Sequence, residues 1–333
     1  MKLAKAASAA VAGSADPALL VRDGLQRVEA KLAQLLDSRE ALISEICHYL
    51  IDGGGKRLRP LFILLVYRAC GGSDDRLEDA VDAAIALELI HSATLLHDDI
   101  IDAGLLRRGK PSAYARYGPA ASLVAGDYLF CRAFELCGRF DERLVRTAAG
   151  ACIQLTEGEV MEGRMRHHAG ATLDDYLAVI TRKTASLFGA GGRVAADLAG
   201  APPAMIEAME QLGLALGRAF QMVDDVLDIV GPEEKIGKPV GSDLRAGVLS
   251  LPVVLGLRAT PELQGLFANG TSHTAGDLNR ALELVRRPAV LLEAQALAAG
   301  ELTVARELVS TVAPSPYREA LRILIDDQLD RDN

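Results

Sequence analysis

Two long apolar segments of helical period end in the same acidic pattern, and this pairing limits the fold more than any other feature. Residues 81–100 place Ala84, Leu87, Ile90, His91, Thr94 and His97 three or four apart, and residues 205–230 do the same with Ile206, Met209, Leu212, Leu216 and Phe220. Each segment runs into D-D-x-x-D, as Asp98-Asp99…Asp102 and as Asp224-Asp225…Asp228. Ala, Leu, Glu and Arg are abundant throughout, and all favour helix. The only Asn-Gly pair, Asn269-Gly270, lies in a loop-like stretch, so no hairpin is expected. Prolines fall in pairs that read as helix breaks: Pro111 and Pro119, Pro202 and Pro203, Pro232 and Pro239, Pro314 and Pro316. The stretch 260–279, rich in Gly, Thr, Ser and Asn, reads as a connection between helices. The expectation is an all-α protein of ten or more helices, with one domain over residues 19–333 behind a disordered, Ala-rich tail of residues 1–18. Lys2 and Lys5 imitate a signal peptide, but the residues that follow are Ala rather than Leu or Val, so the apolar centre of such a signal is weak.

The triads carry chemistry. Residues four apart on a helix differ by about 40° in azimuth, so Asp98 and Asp102 share a face, as do Asp224 and Asp228. Two carboxylates on one face repel, and acids near a helix C-terminus oppose the macrodipole. A chain that accepts both penalties twice, 126 residues apart, is built to hold cations there. Hard oxygen ligands with room for water and phosphate suit Mg²⁺. Basic residues gather nearby. Arg107-Arg108-Gly109-Lys110 follows the first triad, and Gly53-Gly54-Gly55-Lys56-Arg57-Leu58-Arg59-Pro60 lies upstream. Arg offers a planar fork for phosphate and Lys a point charge. The Gly run lacks the spacing of a P-loop. Taken with the triads, it points to a diphosphate site bridged by Mg²⁺.

Composition excludes other classes. Lys plus Arg is 36 against 45 Asp plus Glu, a net charge of −9, which disfavours a nucleic-acid binder. With 4% aromatic residues and no Trp, base stacking has no platform. The cysteines (47, 70, 131, 137, 152) are odd in number and include no C-x-x-C pair, so reduced thiols in a cytoplasm are expected. No apolar run reaches the roughly 18–20 residues of a membrane span, so no stable membrane anchor is expected.

The motifs GGGKRLRP (53–60), HSATLLHDDIID (91–102), RRGKPSA (107–113), GDYL (126–129), KTASLF (183–188), FQMVDDVLD (220–228) and GKPVGSDL (237–244) together resemble the trans-isoprenyl diphosphate synthases, or polyprenyl synthetases. The resemblance runs from about residue 20 to 331. It implies an isoprenoid-synthase fold, a single large helical bundle around a deep central cavity, usually as a homodimer. It implies that Asp98, Asp102, Asp224 and Asp228 hold Mg²⁺ on an allylic diphosphate primer, with Asp99 and Asp225 in support. Arg107, Lys183, Thr184, Gln221 and Lys238 would contact that primer, and Lys56, Arg59, His91 and Arg108 the diphosphate of isopentenyl diphosphate. His97 is given no role, His167 and His168 read as a solvated segment, and Phe220 reads as cavity wall.

Product length turns on Ala93 and Thr94, one turn before Asp98. Bulky aromatics there would close a tunnel along the helix. Both residues are small, so the resemblance is to long-chain synthases of the octaprenyl and heptaprenyl type, which make quinone side chains. A short-chain farnesyl or geranylgeranyl synthase is the alternative within the class. A terpene cyclase is disfavoured by the second anion site, and a non-catalytic subunit of a heteromeric synthase by two complete triads. One departure stands out: in Ala246-Gly247-Val248-Leu249-Ser250-Leu251-Pro252, Val248 replaces a lysine common in the family.

Overall fold

The computed structural model describes residues 16–55, 57–231, 240–268 and 274–328. Lys56, Lys238, Asn269-Gly270 and residues 1–15 therefore lie outside the described residues. The order is α1 (Pro17–Leu20), α2 (Arg22–Leu35), α3 (Ala41–Ile51), α4 (Leu58–Ala69), α5 (Leu77–Ile101), β1 (Leu106–Arg107), β2 (Lys110–Pro111), α6 (Ala113–Tyr117), α7 (Pro119–Cys137) and α8 (Glu142–Met165). Then come α9 (Leu173–Ile180), a π-helical turn (Thr181–Ala185), α10 (Ser186–Leu198), α11 (Pro203–Val230), α12 (Ser242–Arg245), α13 (Leu251–Ala259), α14 (Pro261–Ala268), α15 (Ala275–Val285), α16 (Pro288–Ser310) and α17 (Pro316–Asp326). The all-α expectation holds, with helix α1 beginning at Pro17, within the last two residues of the expected tail.

Helix α5 is buried on all sides, from Leu77 through Ala84 and Leu89 to Leu96, as befits a helix that is apolar all round. Contrary to the sequence expectation, this helix with its preceding turn (Asp74–Ile101) is long and apolar enough to cross a membrane. Its most apolar window is 83% buried inside the molecule, so it is a core helix. Helix α11 opens on Pro203, where the missing N–H is no loss. Its first half (Ile206, Met209, Leu212, Leu216) belongs to the larger apolar cluster with α4, α5 and α10. Its second half (Met222, Val223, Val226, Ile229) belongs to a smaller cluster with α9, α13 and α15. Helices α10 and α11 touch backbone to backbone: a Cβ on Gly213 would sit 2.2 Å from the Phe188 carbonyl oxygen, so only glycine permits the approach.

Two local expectations fail for identifiable reasons. Leu106 pairs with Pro111 and Arg107 with Lys110, a two-residue hairpin. Its turn is Arg108-Gly109, both at positive φ (53° and 74°), the backbone of a primed turn carried by an unusual first residue. The stretch 260–279 holds α14 and the start of α15, the latter opened by a capping box from Thr274 and Asp277. Composition pointed to a loop, but the cap sets the helix. All five cysteines are free thiols.

Candidate active site

The first triad owes its geometry to how α5 stops. Gly104 N–H donates to Asp99 C=O (2.8 Å) and Ala103 N–H to Ile100 C=O (3.2 Å), with Ala103 at φ 48°. This is a Schellman stop with alanine in the left-handed position. It reverses the chain into the hairpin and returns Arg107 over the end of the helix. Arg107 Nε and Nη2 then donate to Asp99 at 2.9–3.1 Å. Asp99 is thus a buried clasp for Arg107 on the side of α5 away from the triad's shared face.

On that shared face, Glu88, His91, Leu95, Asp98 and Asp102 line one cavity of about 1580 Å³. Opposite stand Lys183 and Thr184 of the π turn, and Gln221, Asp224 and Asp225 of α11. A Cβ on Gly158 of α8 would lie 2.6 Å from Lys183 N, so the helix admits the π turn only through this glycine. Single π turns inside helices frequently mark functional sites. Lys183 Nζ reaches Glu159 and Glu162, each at 2.6 Å. Burial opposes its charge, but Glu162, Asp98 and Glu159 outweigh burial and raise its pKa. Asp98 is pushed up to about 7 by burial, with Glu159 and Asp102 adding repulsion against the pull of Lys183 and Arg107. Asp102 is ion-paired with Arg166.

The second triad is held differently. Asp225 accepts from Tyr176 Oη (2.7 Å), Gln221 Nε2 (2.8 Å) and Leu251 N–H (2.9 Å), while Thr184 Oγ1 donates to Gln221 Oε1 (2.9 Å). Burial, then repulsion from Asp243, pushes Asp225 up to about 7. Asp224 faces the cavity, but Asp228 is buried (1% exposed), accepts from Asp243 N–H at 3.3 Å and is not on the wall. Asp243 is on the wall.

The cavity also holds a basic group, Arg57, Arg59, Arg108 and His91, with Arg107 between it and the first triad. His91 is held well below the usual range by burial and then by Arg59, Arg107, Arg108 and Arg57, which keep it neutral. The Arg59 guanidinium lies 4.6 Å over the Phe188 ring, and its buried Nε has no hydrogen-bond partner among the described residues. Such a donor is set to meet an anion.

The structure therefore brings Arg59, His91, Asp98, Asp102, Arg107, Arg108, Lys183, Thr184, Gln221, Asp224 and Asp225 to one cavity, with Phe220 in its wall. Ala93 and Thr94 are both buried and do not line this wall. His97 Nε2 meets Leu123 C=O at 3.1 Å, and its ring fills the space a Cβ on Gly126 would need. Ala93, one turn earlier on the same face, therefore looks into the α5–α7 seam. Thr94 Oγ1 bonds back to His91 C=O (2.8 Å). His167 is not solvated either. Its N–H donates to Gly247 C=O (3.0 Å) and its ring packs where Gly247 lacks a side chain, 5.9 Å from the Phe267 ring. Val248 is on the cavity wall. Sequence reasoning missed Arg57, Glu88, Glu159, Glu162, Arg166, Tyr176 and Asp243. For Glu88 the signal was available: one acid inside an apolar helix, three residues before His91.

The donor set fits divalent metal. Asp98, Asp102, Asp224, Asp243 and Glu162 offer hard carboxylate oxygens to one cavity, two of them at a helix C-terminus. Among the described residues, no three such groups already converge on one point.

The polyprenyl synthetase family profile matches residues 40–285. The nonaprenyl diphosphate synthase of Mycobacterium tuberculosis is 35% identical over 322 residues, 96% of each chain. A short chain isoprenyl diphosphate synthase of Methanothermobacter thermautotrophicus is also 35% identical, over 295 residues (86% of this chain, 89% of that one). The polyprenyl synthase of Caulobacter crescentus, solved with calcium and isoprenyl diphosphate, superposes with a TM-score of 0.90 at 35% identity, covering 95% of this chain and 97% of the other. A cavity acidic at one end and basic at the other, on an all-α frame shared over nearly its whole length with these enzymes, places the chain in the polyprenyl synthetase family of prenyltransferases.

Proposed function

We propose that the chain condenses isopentenyl diphosphate with an allylic diphosphate, head to tail, and repeats the step to give a long-chain polyprenyl diphosphate for quinone side chains. The observation that carries this reading is the polarity of the cavity along α5. His91 and Asp98 are seven residues apart, roughly 10 Å along the helix axis, so two diphosphates fit side by side without sharing ligands. The acidic end takes the primer through metal and the basic end takes isopentenyl diphosphate directly.

Asp98, Asp102 and Asp224 would hold Mg²⁺, with Asp228 in support behind Asp243. When bound, Mg²⁺ supplies Lewis-acid stabilisation of the departing diphosphate. Lys183 and Arg107 add positive charge where the C–O bond ionises, each preset by its own carboxylates. Gln221 and Thr184 fix one another and Asp225, so the primer's diphosphate meets groups that need no rearrangement. Leu58, Leu61, Leu95 and Phe220 give the allylic cation an apolar wall that keeps water away. The double bond of isopentenyl diphosphate attacks the cation, and the proton released passes to the departing diphosphate.

The small side chains at Ala93 and Thr94 favour long products, through opening of the α5–α7 seam. Leu123, Val124 and Phe134 on α7, with Ile153 and Val160 on α8, are exposed apolar residues and support a homodimer. Reduced thiols support a cytoplasmic location. The test is incubation with Mg²⁺, labelled isopentenyl diphosphate and farnesyl diphosphate, followed by chromatography of the dephosphorylated products. Long polyprenols are expected. A stop at geranylgeraniol would keep the reaction and reject the length assignment, and no extension with any primer would reject the function.

A further inference from the structure

Glu88 is an anion buried inside a site built for anions. It is 6% exposed, lies on the cavity wall one turn before His91, and approaches Arg57 Nη1 at 3.6 Å. Placed alone among guanidinium groups, it would by Coulomb's law weaken the site for diphosphate. What it touches gives another account. Arg57 sits in the left-handed region (φ 47°) at the start of α4, so its backbone aims the side chain out of the helix. Nε is held by Glu29 at 2.7 Å and Nη2 by Ile51 C=O at 3.2 Å. Glu88 holds the remaining nitrogen. Arg57 and Arg108 both close on Gly55, where a Cβ would meet Arg57 Nη1 at 2.9 Å and Arg108 Nη2 at 3.4 Å. Two guanidinium groups gathered on one glycine repel each other; burial disfavours the charged forms of Arg108 and Arg59, and Glu88 offsets part of that cost.

We infer that Glu88 is a positioning residue for isopentenyl diphosphate, keeping Arg57, Arg59 and Arg108 converged on the basic end of the cavity, with Arg57 itself a further ligand of that diphosphate. The inference rests on the assignment of this end to isopentenyl diphosphate. The gain is preorganisation: the cations are gathered when the chain folds and need no gathering when substrate arrives.

The test is steady-state kinetics of the full chain with Glu88→Gln, Glu88→Asp, Arg57→Met and the double variant Glu88→Gln/Arg57→Met. Glu88→Gln is expected to raise KM for isopentenyl diphosphate on the order of tenfold, with KM for the allylic primer and kcat within about twofold. Glu88→Asp, which keeps the charge, recovers most of the loss, and the double variant falls short of the product of the two single effects. A fall in KM for isopentenyl diphosphate would show Glu88 to be a plain repelling charge and overturn the proposal. Equal increases for both substrates, or additive effects in the double variant, would reduce it to a packing role and overturn it as well. A wild-type chain that does not elongate isopentenyl diphosphate at all defeats the functional reading instead, so the two failures are distinct.

Discussion

The two triads have the same spacing of acids and opposite surroundings. In the first, the middle acid Asp99 is neutralised by a full charge, the bidentate Arg107, and the last acid Asp102 is 40% exposed beside Arg166. In the second, the middle acid Asp225 is held by neutral donors alone, and the last acid Asp228 is buried and accepts from Asp243 N–H in α12. The first lies at the rim of the larger apolar cluster and the second inside the smaller one. The lesson is that D-D-x-x-D specifies a helix face and leaves the electrostatics to its neighbours. The first triad ends in ion pairs and a partly exposed last acid, whereas the second ends in neutral hydrogen bonds and a buried one.

The comparison is sharpest at the positions where the triads agree. Asp98 and Asp224 both face the cavity, so Asp98→Asn and Asp224→Asn should each lower kcat on the order of 10³-fold at saturating Mg²⁺, with thermal unfolding little changed. If either variant kept near-normal turnover, the equivalence of the two faces would be broken and that triad would be structural.

At the middle positions they should differ. Arg107→Met leaves Asp99 buried without its partner and should destabilise the chain by about 2–3 kcal/mol, the low side for a broken buried pair because Arg107 is 26% exposed. Tyr176→Phe removes one of three neutral donors to Asp225 and should cost about 1 kcal/mol. Both are read from urea unfolding at matched protein concentration, since an oligomer's stability depends on it. Equal losses would mean that charge and neutral hydrogen bonds hold the two triads equally well.

These differences mark what the sequence could and could not disclose. Period and composition sufficed for α5 and α11, because a helix face is a property of spacing alone. The same spacing put Asp98 with Asp102, and Arg107 and Arg108 close behind. It could not show that Arg107 turns back onto Asp99, because that depends on Ala103 and Arg108 adopting positive φ, which neither residue type advertises. Nor could it show the π turn that presents Lys183, since one extra residue in a helix leaves no compositional trace. Ala93 shows what distance along the chain leaves open: its azimuth, about 140° from Asp98, turns it toward the α5–α7 seam.

At the third acids the contrast is between water and protein, and the smallest single effect is expected at Asp102. Asp102 shares an exposed ion pair, and such pairs contribute roughly 0–1 kcal/mol. Asp102→Asn should therefore change unfolding by less than about 1 kcal/mol. Asp228 is buried, and its carboxylate accepts from Asp243 N–H, so Asp228→Asn presents an amide where the loop needs an acceptor and should cost about 1–2 kcal/mol. Measured in chelator, both numbers exclude metal binding and isolate the scaffold. Adding Mg²⁺ with an allylic diphosphate should then stabilise wild type more than either variant, because ligand that binds only the folded chain raises its stability by mass action. If Asp228→Asn loses stability in chelator but keeps the full ligand-induced gain, the acid serves the loop alone, and the metal at the second triad falls to Asp224 and Asp243.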